Sequence, residues 1–214
     1  MVGQGVLREC LLDSDVDLVV TVGRKPTGRE SGKLRELVHQ NLFELTAIEN
    51  ELRGFDACFF CLGVSAIGMK EADYRRVTFD LTLAVAGVLG RLNPGLTFVY
   101  VSGQGTGSTP AMWSRIKRET EVALTGLPFR GSYAFRPGAI VPLHGVRSKT
   151  GWYQAFYDIL SPVLPLLQRA APRFVTTTER VGRAMLTVAK RGWPEPVLEN
   201  SAINSAGSEP PPPV

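Results

Sequence analysis

The chain has 214 residues, 44% hydrophobic and 21% charged, an ordinary globular balance with enough apolar material for one domain with a sizeable core. Lys and Arg outnumber Asp and Glu by 24 to 20, a net charge of +4 with no dense basic block, so a solvated basic surface is expected and nucleic acid is not indicated. Three cysteines are too few for a disulfide framework, and neither a charged-then-apolar leader nor a run of about 20 apolar residues marks a secretory signal or a membrane span.

Residues 1–5 (MVGQG) lead into residues 6–12, an amphipathic helical stretch with Val6, Leu7, Cys10 and Leu11 on one side. Residues 16–22 (VDLVVTV) read as a strand ending at Gly23-Arg24-Lys25-Pro26, and residues 34–39 include a short further strand. Thr46 and Glu49 have capping-box spacing and open a short helix that stops before Gly54. Residues 55–63 (FDACFFCLG) read as a strand buried on both faces and ending in Leu62-Gly63. Within it Cys58 and Cys61 fall on opposite faces, as buried apolar filler in a reducing cytoplasm rather than as a metal or redox pair. Residues 71–92 form the longest helical stretch, with Val77, Leu81, Val85, Val88 and Leu92 in one apolar stripe and Asn93-Pro94-Gly95 as its stop. Tyr74 reads as a surface or interface residue of that helix.

The next unit carries the chemistry. Residues 96–101 (LTFVYV) are continuously apolar, aromatic and β-branched, the pattern of a buried parallel strand. The run stops at Ser102, a Gly/Ser/Thr/Pro loop follows, and residues 112–123 are helical with Trp113 and Lys117 one turn apart. Residues 127–140 give another strand ending in Arg136-Pro137-Gly138-Ala139-Ile140. Residues 152–171, aromatic and apolar but broken by Pro162 and Pro165, read as two short helices of a small cap. Thr176 and Glu179 form a second capping-box match, opening a helix with Val181, Ala184, Met185 and Val188 on one face. The resulting organisation is a single α/β domain over residues 1–204, with a cap segment at 151–175 and a disordered Pro-rich tail at 205–214. His39 and His144 are assigned no role, and no metal site is expected.

The strand-end Ser102, the W-x-x-x-K helix, Gly-Arg-Lys after an early strand and R-P-G-A-I occur in an order that resembles the short-chain dehydrogenase/reductase superfamily, in its atypical, NAD-dependent epimerase/dehydratase-like branch. The resemblance covers nearly the whole chain to about Ala189. It implies a Rossmann-like, doubly wound parallel sheet that is truncated at its amino end. The first strand and the first two glycines of the phosphate loop would lie upstream of Met1, with Gly3 as the last loop glycine. It further implies cofactor contacts from Gly3, Gly5, Arg24, Lys25, Leu62, Gly63, Ser102, Lys117, Pro137, Gly138 and Ile140. Arg24 and Lys25 suit a 2′-phosphate, so NADP is expected, with NAD as the other choice.

In that family a Tyr phenol exchanges the proton, a Lys four residues later lowers the phenol's pKa and holds the ribose, and a Ser orients the substrate. Here Ser102 and Lys117 match, whereas Trp113 stands where the family has Tyr, and an indole N–H is no usable acid or base. Two readings follow. One is an NADP-dependent oxidoreductase or epimerase acting on an unknown small carbonyl or hydroxyl substrate, with Ser102, Thr106, Tyr153 or a Lys117-held water as the acid. The other is a catalytically inactive dinucleotide-binding regulatory or scaffold protein. A chain that binds no dinucleotide is a third, blander reading. The long helix offers a homodimer contact.

Overall fold

Every strand pairing among the described residues is parallel, in keeping with the apolar strand runs. The computed structural model describes residues 1–145 and 173–208. Tyr153, the expected cap helices over 152–171 and the Pro210–Pro213 run lie outside the described residues. The elements alternate in chain order: helix α1 (Val2–Leu12), strands β1 (Val19–Gly23) and β2 (Leu34–Val38), a 3-10 turn (Thr46–Leu52), and β3 (Ala57–Phe60). Helix α2 (Glu71–Arg75) then runs through a π turn (Arg76–Asp80) into α3 (Leu81–Leu92), followed by β4 (Thr97–Val101), α4 (Met112–Thr125), β5 (Gly131–Arg136) and β6 (Ala139–Val141). Strand β7 (Val175–Thr177), α5 (Thr178–Arg191), β8 (Val197–Glu199) and α6 (Asn200–Ala206) complete the described chain.

The main sheet has the order β3-β4-β5-β8, while β1-β2 and β6-β7 form separate two-stranded pieces. The side chains of β4 alternate: Phe98 and Tyr100 enter a core with α3 residues such as Ala86 and Leu89, whereas Val99 enters a second core with Val6 of α1 and Val181 and Met185 of α5. Cys58 and Cys61 likewise divide between the two cores, on opposite faces as their spacing predicts. Helices therefore cover both faces of a parallel sheet, the doubly wound Rossmann-like architecture.

Several local expectations are corrected. Helix α1 starts at Val2, so Gly3 and Gly5 lie inside its first turns rather than in a loop before it. The Thr46 capping box does not form: the Thr46 amide donates to the Glu44 carboxylate, and Glu49 pairs with Arg91. At α5 the cap is Thr177, whose hydroxyl accepts from the Arg180 amide at 3.0 Å, one residue later than expected. Thr176 sits one residue further back in β7, and Glu179 is held by His144 and Arg183. The strand expected over 127–140 is two, because the chain turns at Pro137-Gly138. The tail expected from residue 205 begins in α6, where Ala206 is fully buried. Tyr74, expected as a surface or interface residue of the helix, is only 2% exposed.

Candidate functional site

Several of the sequence-predicted residues lie just past the carboxyl ends of strands, those of β3, β4 and β5 at one edge of the main sheet. Arg24 and Lys25 follow β1, Leu62 and Gly63 follow β3, Ser102 follows β4, and Pro137-Gly138 follow β5. Arg24 and Lys25 are exposed, and the Gln40 side chain donates to the Arg24 carbonyl at 3.1 Å. Leu62 and Gly63 are exposed as well, with open space around the Gly63 Cα. Ile140 is buried in β6, one strand past this edge.

The loop after β4 is held by several hydrogen bonds of its own. Ser102 is buried, and its amide extends the ladder by donating to the Phe135 carbonyl at 2.8 Å. Its hydroxyl lies 3.1 Å from that of Thr106, and the Thr106 hydroxyl donates to the Gly103 carbonyl at 2.8 Å. With the Thr106 proton so used, Ser102 is the donor of the pair, and the hydroxyl chain ends on a main-chain carbonyl. Gly105 and Gly107 both take positive φ, which lets the loop double back onto α4. There the Ser114 hydroxyl accepts from the Gly107 amide at 2.8 Å and reaches the Gly105 carbonyl at 3.1 Å. A Cβ on Gly105 would stand 3.4 Å from the Trp113 ring, so the indole packs against the loop.

Lys117 points inward from the next turn of α4. Its ammonium donates to the carbonyls of Ser102 (3.0 Å) and Val101 (3.4 Å) and lies 5.4 Å from the Tyr100 ring centroid. Burial disfavours its charge and pulls its pKa down to about 8, against a smaller opposing pull from Glu121. Burial likewise raises the Tyr100 phenol above its usual range.

Two arrangements escaped the sequence reading. Gln104 ties the β4 loop to the β5 turn: its amide donates to the Pro137 carbonyl at 3.0 Å and its side chain to the Arg173 carbonyl at 3.3 Å. Gly138 fits between the Gln104 side chain and the Phe174 carbonyl, where any Cβ would collide, and its amide donates to Asn200 at 2.9 Å. Arg136 is absorbed structurally by Glu121 (2.6 and 3.0 Å) and Glu199 (2.9 Å). Partners 15 and 63 residues away leave no local sequence signal.

Gly3 and Gly5 do different work. A Cβ on Gly5 would come within 2.6 Å of the Thr178 Cβ and 2.8 Å of its carbonyl, so Gly5 lets α1 press against the start of α5. A Cβ on Gly3 would stand 3.3 Å from the Cys61 Cβ, just past β3. His39 contacts the Glu44 carbonyl, and His144 the Glu179 carboxylate, each at 2.6 Å, which gives both histidines structural partners. No metal-binding cluster occurs among the described residues, and none of the described helices is long and apolar enough to cross a membrane.

No family model matches the chain. A curated relative, leucinostatins biosynthesis cluster protein T of Purpureocillium lilacinum, is 27% identical over 118 residues, which is 53% of this chain and 43% of that protein. The chain thus spans less than half the length of that relative. Solved structures agree on the fold. MoeE5, solved with UDP-glucuronic acid and NAD, superposes with a TM-score of 0.63 at 16% identity, over 92% of this chain and 71% of that one. WbmF of Bordetella bronchiseptica, solved with NAD+, gives 0.62 at 13% identity over 95% and 73%. The Helicobacter pylori ADP-L-glycero-D-manno-heptose-6-epimerase gives 0.61 at 14% over 89% and 70%. The fold is that of the NAD-dependent epimerases and short-chain dehydrogenases.

Proposed function

We propose that the carboxyl edge of the sheet binds a nicotinamide dinucleotide, with NADP preferred, in the manner of short-chain dehydrogenase/reductase proteins. The observation that carries this is the shared carboxyl edge of β3, β4 and β5 in one parallel sheet, with the half-buried Lys117 bonded to the Ser102 carbonyl. The residues fit the holding of the group. Open space at Gly63 admits a flat ring system, and exposed Arg24 and Lys25 suit a 2′-phosphate. Lys117 suits a ribose, and the Pro137-Gly138 turn, fastened by Gln104 and Asn200, forms a rigid wall. Bound there, the dinucleotide would supply hydride chemistry. The solved structures of MoeE5 and WbmF, which contain NAD, support a nicotinamide dinucleotide, and the preference for NADP rests on Arg24 and Lys25.

The chain's own contribution to turnover as an oxidoreductase or epimerase is narrower. Ser102 already donates its proton to Thr106, so towards a substrate hydroxyl its oxygen acts as acceptor and orients. Among the described residues at the Ser102–Trp113 corner, Lys117, with a pKa near 8, is the group able to give a proton near neutrality. The rival reading, binding without turnover, draws on Trp113 and on the hydroxyl chain that ends at Gly103. Calorimetry with NADPH and NADH tests the binding. NADPH should bind more tightly, and Arg24→Ala should erase most of that preference while leaving NADH affinity unchanged. No heat with either dinucleotide rejects the proposal. If binding holds, NADPH turnover with a panel of aldehydes and ketones, abolished by Lys117→Met, selects the enzyme over the scaffold.

A further inference from the structure

Three hydrogen bonds hold the turn after β5. Pro137 has no amide, and its carbonyl accepts from the Gln104 amide at 3.0 Å. The Gly138 amide donates to the Asn200 side-chain oxygen at 2.9 Å. The Ala139 amide donates to the Phe174 carbonyl at 2.8 Å. Every main-chain donor of residues 137–139 is thus matched within the protein. Two of the bonds join main chain to main chain. Asn200 supplies the third from its side chain, so it is the one that a substitution removes.

Asn200 has a firm seat. It is 1% exposed and stands where β8 passes into α6. Glu199, the residue before it, bonds Arg136 at 2.9 Å, so two consecutive side chains grip β5 and its turn at residues 136 and 138. One helical turn on, Asn204 donates to the Val175 carbonyl at 2.9 Å, beside Phe174. Helix α6 is itself fixed on α5: Ile203 and Ala206 are fully buried, and the Thr187 hydroxyl donates to the Ala206 carbonyl at 3.1 Å. Gly138 has little room in which to move, since a Cβ there would come 2.3 Å from the Phe174 carbonyl oxygen and 2.7 Å from the Gln104 side chain.

The order of the strands says which end of a ligand meets this turn. Helix α1 packs against both β1 and β3, which puts Arg24 and Lys25 on the β3 side of the main sheet. A dinucleotide anchored there by a 2′-phosphate and lying along the edge passes Gly63, then Ser102 and Lys117, and reaches Pro137-Gly138 with its other end. From β3 to β5 is two strand spacings, about 10 Å, within reach of an extended dinucleotide. We propose that Asn200 is a positioning residue for the nicotinamide end: it acts through the Gly138 amide and sets that half of the binding, while Arg24 and Lys25 set the phosphorylated adenosine half. This inference rests on the dinucleotide reading above and adds α6 to the site. Without Asn200 the Gly138 amide loses its partner, and the wall that the far end rests on loses its only side-chain hold among these three bonds.

Calorimetry with NADPH and with 2′,5′-ADP, which carries the phosphorylated adenosine end alone, tests it. Asn200→Ala should weaken NADPH at least about tenfold and leave 2′,5′-ADP unchanged. Asn200→Asp, which keeps an acceptor oxygen for Gly138, should hold NADPH within about threefold of wild type. Arg24→Ala should weaken both ligands. If Asn200→Ala does not fold, Asn200→Ser, shorter but still polar, carries the same comparison. Hydrogen exchange reads the hold without a ligand: the Gly138 amide should exchange at least about tenfold faster in Asn200→Ala, with the Ala134 amide of β5 unchanged. The proposal is overturned if the Asn200 variant weakens both ligands alike or neither, or if Gly138 exchange does not change. A wild type that binds neither ligand fails the dinucleotide reading itself and this assignment with it, whereas a wild type that binds both while the Asn200 variant matches it fails this assignment alone.

Discussion

The two halves of the sheet are built from equally apolar sequence and reach different degrees of burial. In β4, Thr97 to Tyr100 are all buried, with Phe98 and Val99 at 0% exposure. In β1 every residue remains half-exposed, although Val19, Val20 and Val22 are as hydrophobic as anything in β4. The difference is partnership. Strand β4 has a bonded neighbour on each edge and a helical layer on each face, whereas β1 has one bonded edge. Hydrophobicity chooses the strand, and pairing on both sides decides how far it is buried.

The comparison can be broken most severely from the β4–β5 side. Phe135→Ala, at a fully buried β5 position, should cost about 3–5 kcal/mol in denaturant unfolding, whereas Val20→Ala in β1 should cost less than about 1.5 kcal/mol. Equal losses would mean that the two halves share one core energetically. Next comes Glu121, which is buried and bridges α4 to Arg136 of β5. Glu121→Ala strands the guanidinium against Glu199 alone and should cost about 3 kcal/mol, read as a drop in the urea midpoint. Third, Gly5→Ala drives a methyl into the main chain at Thr178 and should cost about 1–3 kcal/mol, whereas Gly63→Ala, with open space around it, should be near neutral. If Gly5→Ala were silent, α1 would be free to slide on α5.

The smallest effect is a pH slope. Lys117 has a folded pKa near 8, below its unfolded value, so between the two the unfolded chain holds more protons. Stability from this group therefore rises as pH climbs above about 8 and levels off near the unfolded lysine value, about 10.4. Below pH 8 the cost of burying the charge is present in full. Chemical unfolding at pH 7, 8, 9 and 10 should show that rise in the wild type and a flatter profile in Lys117→Met.

Much of this was legible in the sequence, for local reasons. The run at residues 96–101 could only be a doubly buried strand, and the stripe through Val77, Leu81, Val85, Val88 and Leu92 could only be one side of a helix, which the π turn leaves continuous. The lapses are tertiary. Thr46 and Glu49 have the spacing of a cap, but Arg91 draws the glutamate away. Thr176 and Thr177 both pair with β6, and it is Thr177, the last residue before α5, whose hydroxyl reaches the Arg180 amide. Gly3 and Gly5 look like loop residues until Thr178 and Cys61 show what they make room for. At the site, the placement of Ser102 and Lys117 at a strand end and on the next helix followed from order alone. The use of the Ser102 proton by Thr106, and the Gln104 fastening of the Pro137 turn, depend on loop geometry that two positive-φ glycines create.

The division of cysteines between the two faces of the sheet has a practical consequence. Cys10 and Cys61 belong to the core beneath α1 and α5, and Cys58 to the core beneath α3. Burial raises all three thiols to about 12, so none is a competent thiolate while its layer stays closed. Each therefore works as a shutter-timed tag. Pulse alkylation followed by peptide mass mapping would time the opening of the two helical layers separately, and a bond joining Cys58 to Cys61 would form only in molecules whose β3 had left the sheet.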